Sequence, residues 1–73
     1  MTRAETIKAM MDKARDLQRN GWTRDGENEI WDMASDFNRE HEDEEIFMCE
    51  MSKADGDVGD GFMIEDDYWV FEA

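Results

Sequence analysis

Basic residues are scarce in this sequence. Eight lysines and arginines stand against 21 aspartates and glutamates, and no base of any kind follows Lys53. At a net charge of −13, DNA, RNA and anionic membranes are poor partners for the chain, while a basic protein surface is a good one. Cysteine is scarcer still: a single Cys49 excludes an intramolecular disulfide and points to a reducing compartment. With His41 the only histidine, no zinc site of ordinary composition forms within one chain. Long apolar runs are missing too. The opening MTRAETIKAM has no stretch suited to a signal peptide, and nothing approaches a membrane span, so a cytoplasmic location is expected. No glycine-rich loop leads into a lysine, which removes the usual phosphate cradle.

What remains is a chain of 73 residues, 40% apolar, with eight aromatics and seven methionines. That is one domain near the lower limit for folding without cross-links, with enough apolar volume for a thin core. Its charge is unevenly spread. Residues 1–24 carry six bases and three acids; residues 25–73 carry two bases and eighteen acids, or −16. The last third is the extreme case. Phe62, Met63, Ile64, Tyr68, Trp69, Val70 and Phe71 stand among Asp55, Asp57, Asp60, Glu65, Asp66, Asp67 and Glu72, an apolar anchor in a strongly negative setting.

Thr2 and Glu5 fit a capping box, and Ile7, Met10, Met11, Ala14 and Leu17 recur at helical spacing. A first helix is therefore expected over residues 3–19, stopped by Asn20-Gly21. Lys8, Arg15 and Arg19 fall within roughly 40° of one another beside its apolar face, where pairing with the acidic remainder is expected. A second helix over residues 24–40, capped by Thr23 or Asp25, presents Ile30, Met33, Ala34, Phe37 and His41 as its apolar face. Its other side carries Asp25, Glu29, Asp32, Asp36 and Glu40 within roughly 80°. Like charges at i,i+4 cost a few tenths of a kcal/mol per pair. A solvated face is the commoner origin of such a run; one so pure also suits a partner.

After a charged connector, residues 45–52 suit a strand with Phe47, Cys49 and Met51 on one face and Ile46, Met48 and Glu50 on the other. A helix over 43–52 is the competing assignment. Residues 53–61 form a Gly/Asp loop, and 62–72 form one long strand or a hairpin turning at Asp66-Asp67. The expected fold is α+β: a two-helix hairpin packed on one face of a small two- or three-stranded antiparallel sheet. Ile46 and Met48, with part of the 62–71 set, are expected on the sheet's uncovered face, an interface for a second copy or a partner.

Candidate chemistry is thin. The loop from Asp55 to Gly61 approaches a calcium loop, but starting at Asp55 puts Gly59 where an acid belongs and Asp60 where glycine belongs. Cys49 in an apolar strand holds a protonated, inert thiol, and His41 is a helix-end or core-edge residue. Carboxylates abound, yet no cleft is implied that would make two of them a glycosidase pair. No enzyme activity, metal or cofactor is expected.

Binding is the expectation that the charge supports. Helix neighbours at i,i+4 lie about 6 Å apart, and alternate strand residues about 6.6 Å, comparable to the phosphate repeat of a nucleic-acid strand. Asp25, Glu29, Asp32, Asp36 and Glu40 can thus present a phosphate-like row, extended by Asp55, Asp57, Asp60, Asp66 and Asp67, with Tyr68 and Trp69 as aromatic contacts. In size, acidity and lack of enzymatic motifs, the chain resembles small phage-encoded inhibitors of bacterial defence, including anti-CRISPR proteins and anti-restriction DNA mimics. The resemblance is one of composition over the whole chain. It implies a basic nucleic-acid-binding partner, such as a CRISPR effector complex or a restriction enzyme, in a bacterial cytoplasm. The alternatives are a plain interaction module or homodimer using the second sheet face, and adaptation to a high-salt cytoplasm.

Overall fold

Thr2 opens the first helix. Its hydroxyl accepts the backbone N–H of Glu5 at 3.1 Å, and the Glu5 carboxylate accepts the N–H of Thr2 at 2.8 Å, closing the capping box. The computed structural model describes residues 1–72, Glu72 by its backbone alone. Helix α1 spans Arg3–Asn20 and ends at Gly21, whose φ of 103° is open to glycine and whose N–H donates to the Leu17 carbonyl at 2.9 Å. Thr23 caps helix α2, Arg24–Glu40, by accepting the Gly26 N–H at 3.0 Å. Gly26 stands in the first turn of α2, where a Cβ would overlap the Leu17 side chain of α1.

Strands β1 (Met48–Met51), β2 (Asp60–Ile64) and β3 (Asp67–Glu72) form an antiparallel meander in the order β1-β2-β3. The α+β fold stands as expected, with three strands. Residues 45–52 yield a shorter strand because side chains take the flanking backbone groups. Asn38 accepts the Ile46 N–H at 2.7 Å and donates to the Ile46 carbonyl at 3.1 Å, while Asp57 accepts the Ser52 N–H at 3.0 Å. Helix in this region is confined to a single 3-10 turn at Glu42–Glu44. Strand β2 begins inside the expected loop, with Asp60 opposite Glu72.

The hairpin turns at Glu65-Asp66, one residue earlier than Asp66-Asp67, since Ile64 pairs with Asp67. Glu65 adopts φ 54°, a left-handed conformation that costs roughly 1–2 kcal/mol outside glycine. Two contacts hold it there: its N–H donates to the Phe47 carbonyl at 2.8 Å, and its carboxylate pairs with Arg3. Arg3 also donates to the Glu44 and Glu45 carbonyls at 3.1 and 3.2 Å, so one side chain ties the start of α1 to both segments.

The core lies between the helices and one sheet face. Met10 and Ala14 from α1, Ile30, Ala34 and Phe37 from α2, and Ile46, Phe62 and Ile64 from the sheet layer are buried there, with Met48, Trp69 and Phe71 packed against them. This reverses the expected faces of the first strand. Met48 pairs with Ile64 and Glu50 with Phe62, so the Ile46–Met48–Glu50 side faces the helices; by register Phe47, Cys49 and Met51 lie on the other side, where Phe47 is exposed and Met51 is buried. The Asn38 clamp on Ile46 sets that choice, because a one-residue change of register turns every side chain over. A bulge between Asp60 and Gly61 brings Gly61 opposite Val70, and Phe71 packs on Phe62 at 5.4 Å between ring centroids.

Candidate functional site

The acidic row on α2 forms as the helical period requires: Asp25, Glu29, Asp32, Asp36 and Glu40 are all exposed. Two of the five are partly neutralised, Glu29 by Lys13 of α1 and Asp36 by Arg39 at 3.2 Å. Asp25, Asp32 and Glu40 have no ion-pair partner among the described residues. Of the α1 bases, Arg3 and Lys13 reach acids elsewhere, Glu65 and Glu29, while two pair within their own helix. Lys8 and Arg15 both reach Asp12 at 3.0 Å, and their hydrogen bonds, the Lys8 ammonium first, hold its carboxyl below the usual carboxylate range.

The acids of the last third do not extend that row as one line. Asp55 and Asp57 lie on the β1–β2 connection and Asp60 opens β2, whereas Asp66 and Asp67 lie at the hairpin at the other end of β2, at least about 13 Å away along the strand. Asp57 and Asp60 also have internal work: Asp60 accepts the Lys53 N–H at 2.8 Å, and Asp57 the Ser52 N–H. These bonds brace a loop that otherwise relies on Gly56 at φ 92°. Asp55, Asp66 and Asp67 are exposed. Among the described residues no three His, Cys, Asp or Glu side chains converge as metal ligands.

The two aromatic candidates part company. Tyr68, opposite Met63, is 59% exposed on the sheet face turned from the helices. Trp69, opposite Phe62, packs against the core under the Arg15 guanidinium, which lies 6.0 Å from its ring centroid. Its indole N–H is buried with no hydrogen-bond partner among the described residues. His41 is spent at the end of α2, where its ring stacks on Phe37 at 4.0 Å and its Nδ1 meets the Phe37 carbonyl at 3.0 Å.

Two further features stand out, the second of them expected from the sequence but with Ile46 and Met48 on it in place of Phe47 and Cys49. The Glu27 carboxylate accepts the indole N–H of Trp22 at 2.8 Å and of Trp31 at 3.1 Å, and the Arg24 guanidinium lies 5.6 Å from the Trp22 ring centroid. Trp22, Arg24 and Glu27 wall a cleft of about 440 Å³ completed by Glu50, Met51, Asp60, Gly61 and Phe71. The i,i+4 spacing of Glu27 and Trp31 was the available signal; the Trp22 contact needs the turn. The second feature is the outward sheet face. Phe47, Cys49, Met51, Met63, Tyr68 and Val70 lie on it with Gly61, and none is charged.

Fold and surface together define a small acidic α+β protein with a charged row on the helix layer and an uncharged apolar face on the outer side of the sheet. Comparisons with protein families, curated proteins and solved structures return no match. Among the described residues, no helix is long and apolar enough to cross a membrane.

Proposed function

We propose that this protein is a small acidic inhibitor that occupies the basic nucleic-acid-binding surface of a target protein in place of its nucleic acid, without catalysing a reaction. The observation that carries this reading is the exposed α2 row, in which Asp25, Asp32 and Glu40 have no ion-pair partner among the described residues, in a molecule of net charge −13. Carboxylates at helical i,i+4 spacing, about 6 Å, offer a basic groove a repeat close to that of phosphates. Displacing nucleic acid with such a row needs no cofactor. A CRISPR effector complex or a restriction enzyme in a bacterial cytoplasm is the proposed target class, on the strength of the resemblance to phage-encoded inhibitors. The competing reading, a non-mimic interaction module or homodimer, draws on the apolar sheet face.

The test is competition. Basic nucleic-acid-binding proteins retained on the immobilised chain are titrated with labelled nucleic acid and this protein at two salt concentrations. Mutually exclusive binding that weakens steeply with salt is expected, because exposed charges act over about 8–10 Å at physiological ionic strength. Simultaneous binding of both ligands, with affinity flat across salt, overturns mimicry and supports the module.

A further inference from the structure

We infer that the outward face of the sheet is a second contact surface, fitted to the aromatic, base-stacking side of a single-strand nucleic-acid-binding groove. The inference rests on the acidic-inhibitor reading and narrows its partner class. An antiparallel sheet with one face on the core ordinarily turns polar side chains to water on the other. Here the outward positions are Phe47, Cys49, Met51, Met63, Tyr68 and Val70, in a chain that is 40% charged. Met51 is itself buried at 8% exposure, but the other five lie outside the buried cluster on the helix side. Cys49, Met63 and Tyr68 stand directly opposite one another across the three strands, a row about 10 Å wide. Phe47 and Tyr68 are the most exposed of the face, at 51% and 59%.

Size and rim decide the occupant. The two exposed rings offer on the order of 200 Å², and half-buried Cys49, Met63 and Val70 add less than that. The patch therefore falls well short of the ~800 Å² per partner of a stable interface. A second copy would have to recruit the rim, where Glu45 and Asp66 are exposed and have no ion-pair partner among the described residues. Two such rims repel. A protein surface with an apolar centre and basic margins gains from both parts.

Grooves that hold single strands have that composition: a basic track for the backbone and exposed aromatic side chains on which bases stack. They also enclose the strand, so a bound inhibitor meets walls on both sides. The α2 row lies on the helix layer and the apolar face on the outer side of the sheet, two separate surfaces of this molecule, and each matches one wall. A surface that grips only phosphates would leave Phe47 and Tyr68 without purpose.

The experiment uses two defined probes, a peptide alternating lysine with tryptophan and one alternating lysine with serine, titrated calorimetrically against the whole chain. The Phe47→Ser/Tyr68→Ser variant alters two exposed positions and is checked for folding by circular dichroism. Expected is binding of the tryptophan peptide about tenfold or more tighter than the serine peptide. The variant should lose that advantage while keeping its affinity for the serine peptide, and amide shifts should map to β1–β3. Equal binding of both peptides overturns the face but leaves the acidic reading standing. Binding of neither overturns both. Sedimentation showing a dimer of the native chain and a monomer of the variant assigns the face to a second copy and overturns the inference.

Discussion

Gly61 is the residue at which the fold has least freedom. A Cβ there would overlap the Trp69 carbonyl oxygen, a backbone atom that cannot move without opening the β2–β3 pairing. Gly61→Ala should therefore destabilise by about 1–3 kcal/mol, as overpacking does, measured as a lower midpoint in urea with unchanged slope. Asn38 is the second such position. Its side-chain amide satisfies both backbone groups of Ile46, which is buried. Asn38→Ala leaves a donor and an acceptor unpaired, at about 1–3 kcal/mol each. Asn38→Asp keeps the acceptor for the Ile46 N–H and should cost less. Equal losses in the two variants would show that Asn38 matters for packing and not for its hydrogen bonds.

At the scale of the element, α2 carries opposed demands. Its inner side supplies Ile30, Ala34 and Phe37 to the core, while its outer side lines up acids at i,i+4. Each like-charge pair costs a few tenths of a kcal/mol, and exposed pairs such as Lys13–Glu29 or Arg39–Asp36 return at most about 1 kcal/mol. Asp32→Asn/Glu40→Gln should accordingly leave the thermal midpoint equal or slightly higher while weakening partner binding. Unchanged affinity in the folded double variant would reduce the row to solvated surface. Helix α1 answers differently, because its capping box is local and complete. Thr2→Ala should cost about 1 kcal/mol, seen in thermal unfolding, and frayed amide exchange should appear first in residues 3–6.

For the whole molecule, the governing quantity is the charge of −13, whose self-repulsion opposes compaction. Acidification first relieves it as the carboxylates protonate. Two carboxyls act the other way. Glu5 is held below its usual range by the Thr2 backbone hydrogen bond, and Asp12 by its bonds to Lys8 and Arg15. A depressed folded-state pKa contributes stability above the unfolded value and loses it as pH falls through the folded one. The thermal midpoint should thus rise from pH 7 to a maximum near pH ~5 and decline below about 4. Added salt should raise it at pH 7 by screening the repulsion. A midpoint flat from pH 7 to 5, and indifferent to salt, would mean that the acids are too dispersed to repel. Unfolding at low salt, reversed only by multimolar KCl, would instead mark salt adaptation.

The helices, their caps and the acidic bias were determined by the sequence itself, because each depends on neighbours within four residues. Thr2 and Glu5, Gly21, Thr23 and the 3.6-residue apolar spacing act locally. The helix-on-sheet layering and a sheet of two or three strands were legible for a similar reason: apolar runs bounded by Gly and Asp have few other uses. Which face of the sheet the helices cover was not. Ile46 and Met48 are as apolar as Phe47, Cys49 and Met51, and alternation allows either set inward. Asn38, eight residues before Ile46, together with the pairing of Met48 to Ile64, made the choice. The same holds at the site. Helical period alone placed the α2 row outward, but only the packed structure joined Glu29 to Lys13, gathered Trp22 and Trp31 on Glu27, and turned Trp69 inward and Tyr68 outward. Those contacts join side chains from different segments, and their geometry exists only once the layers have closed.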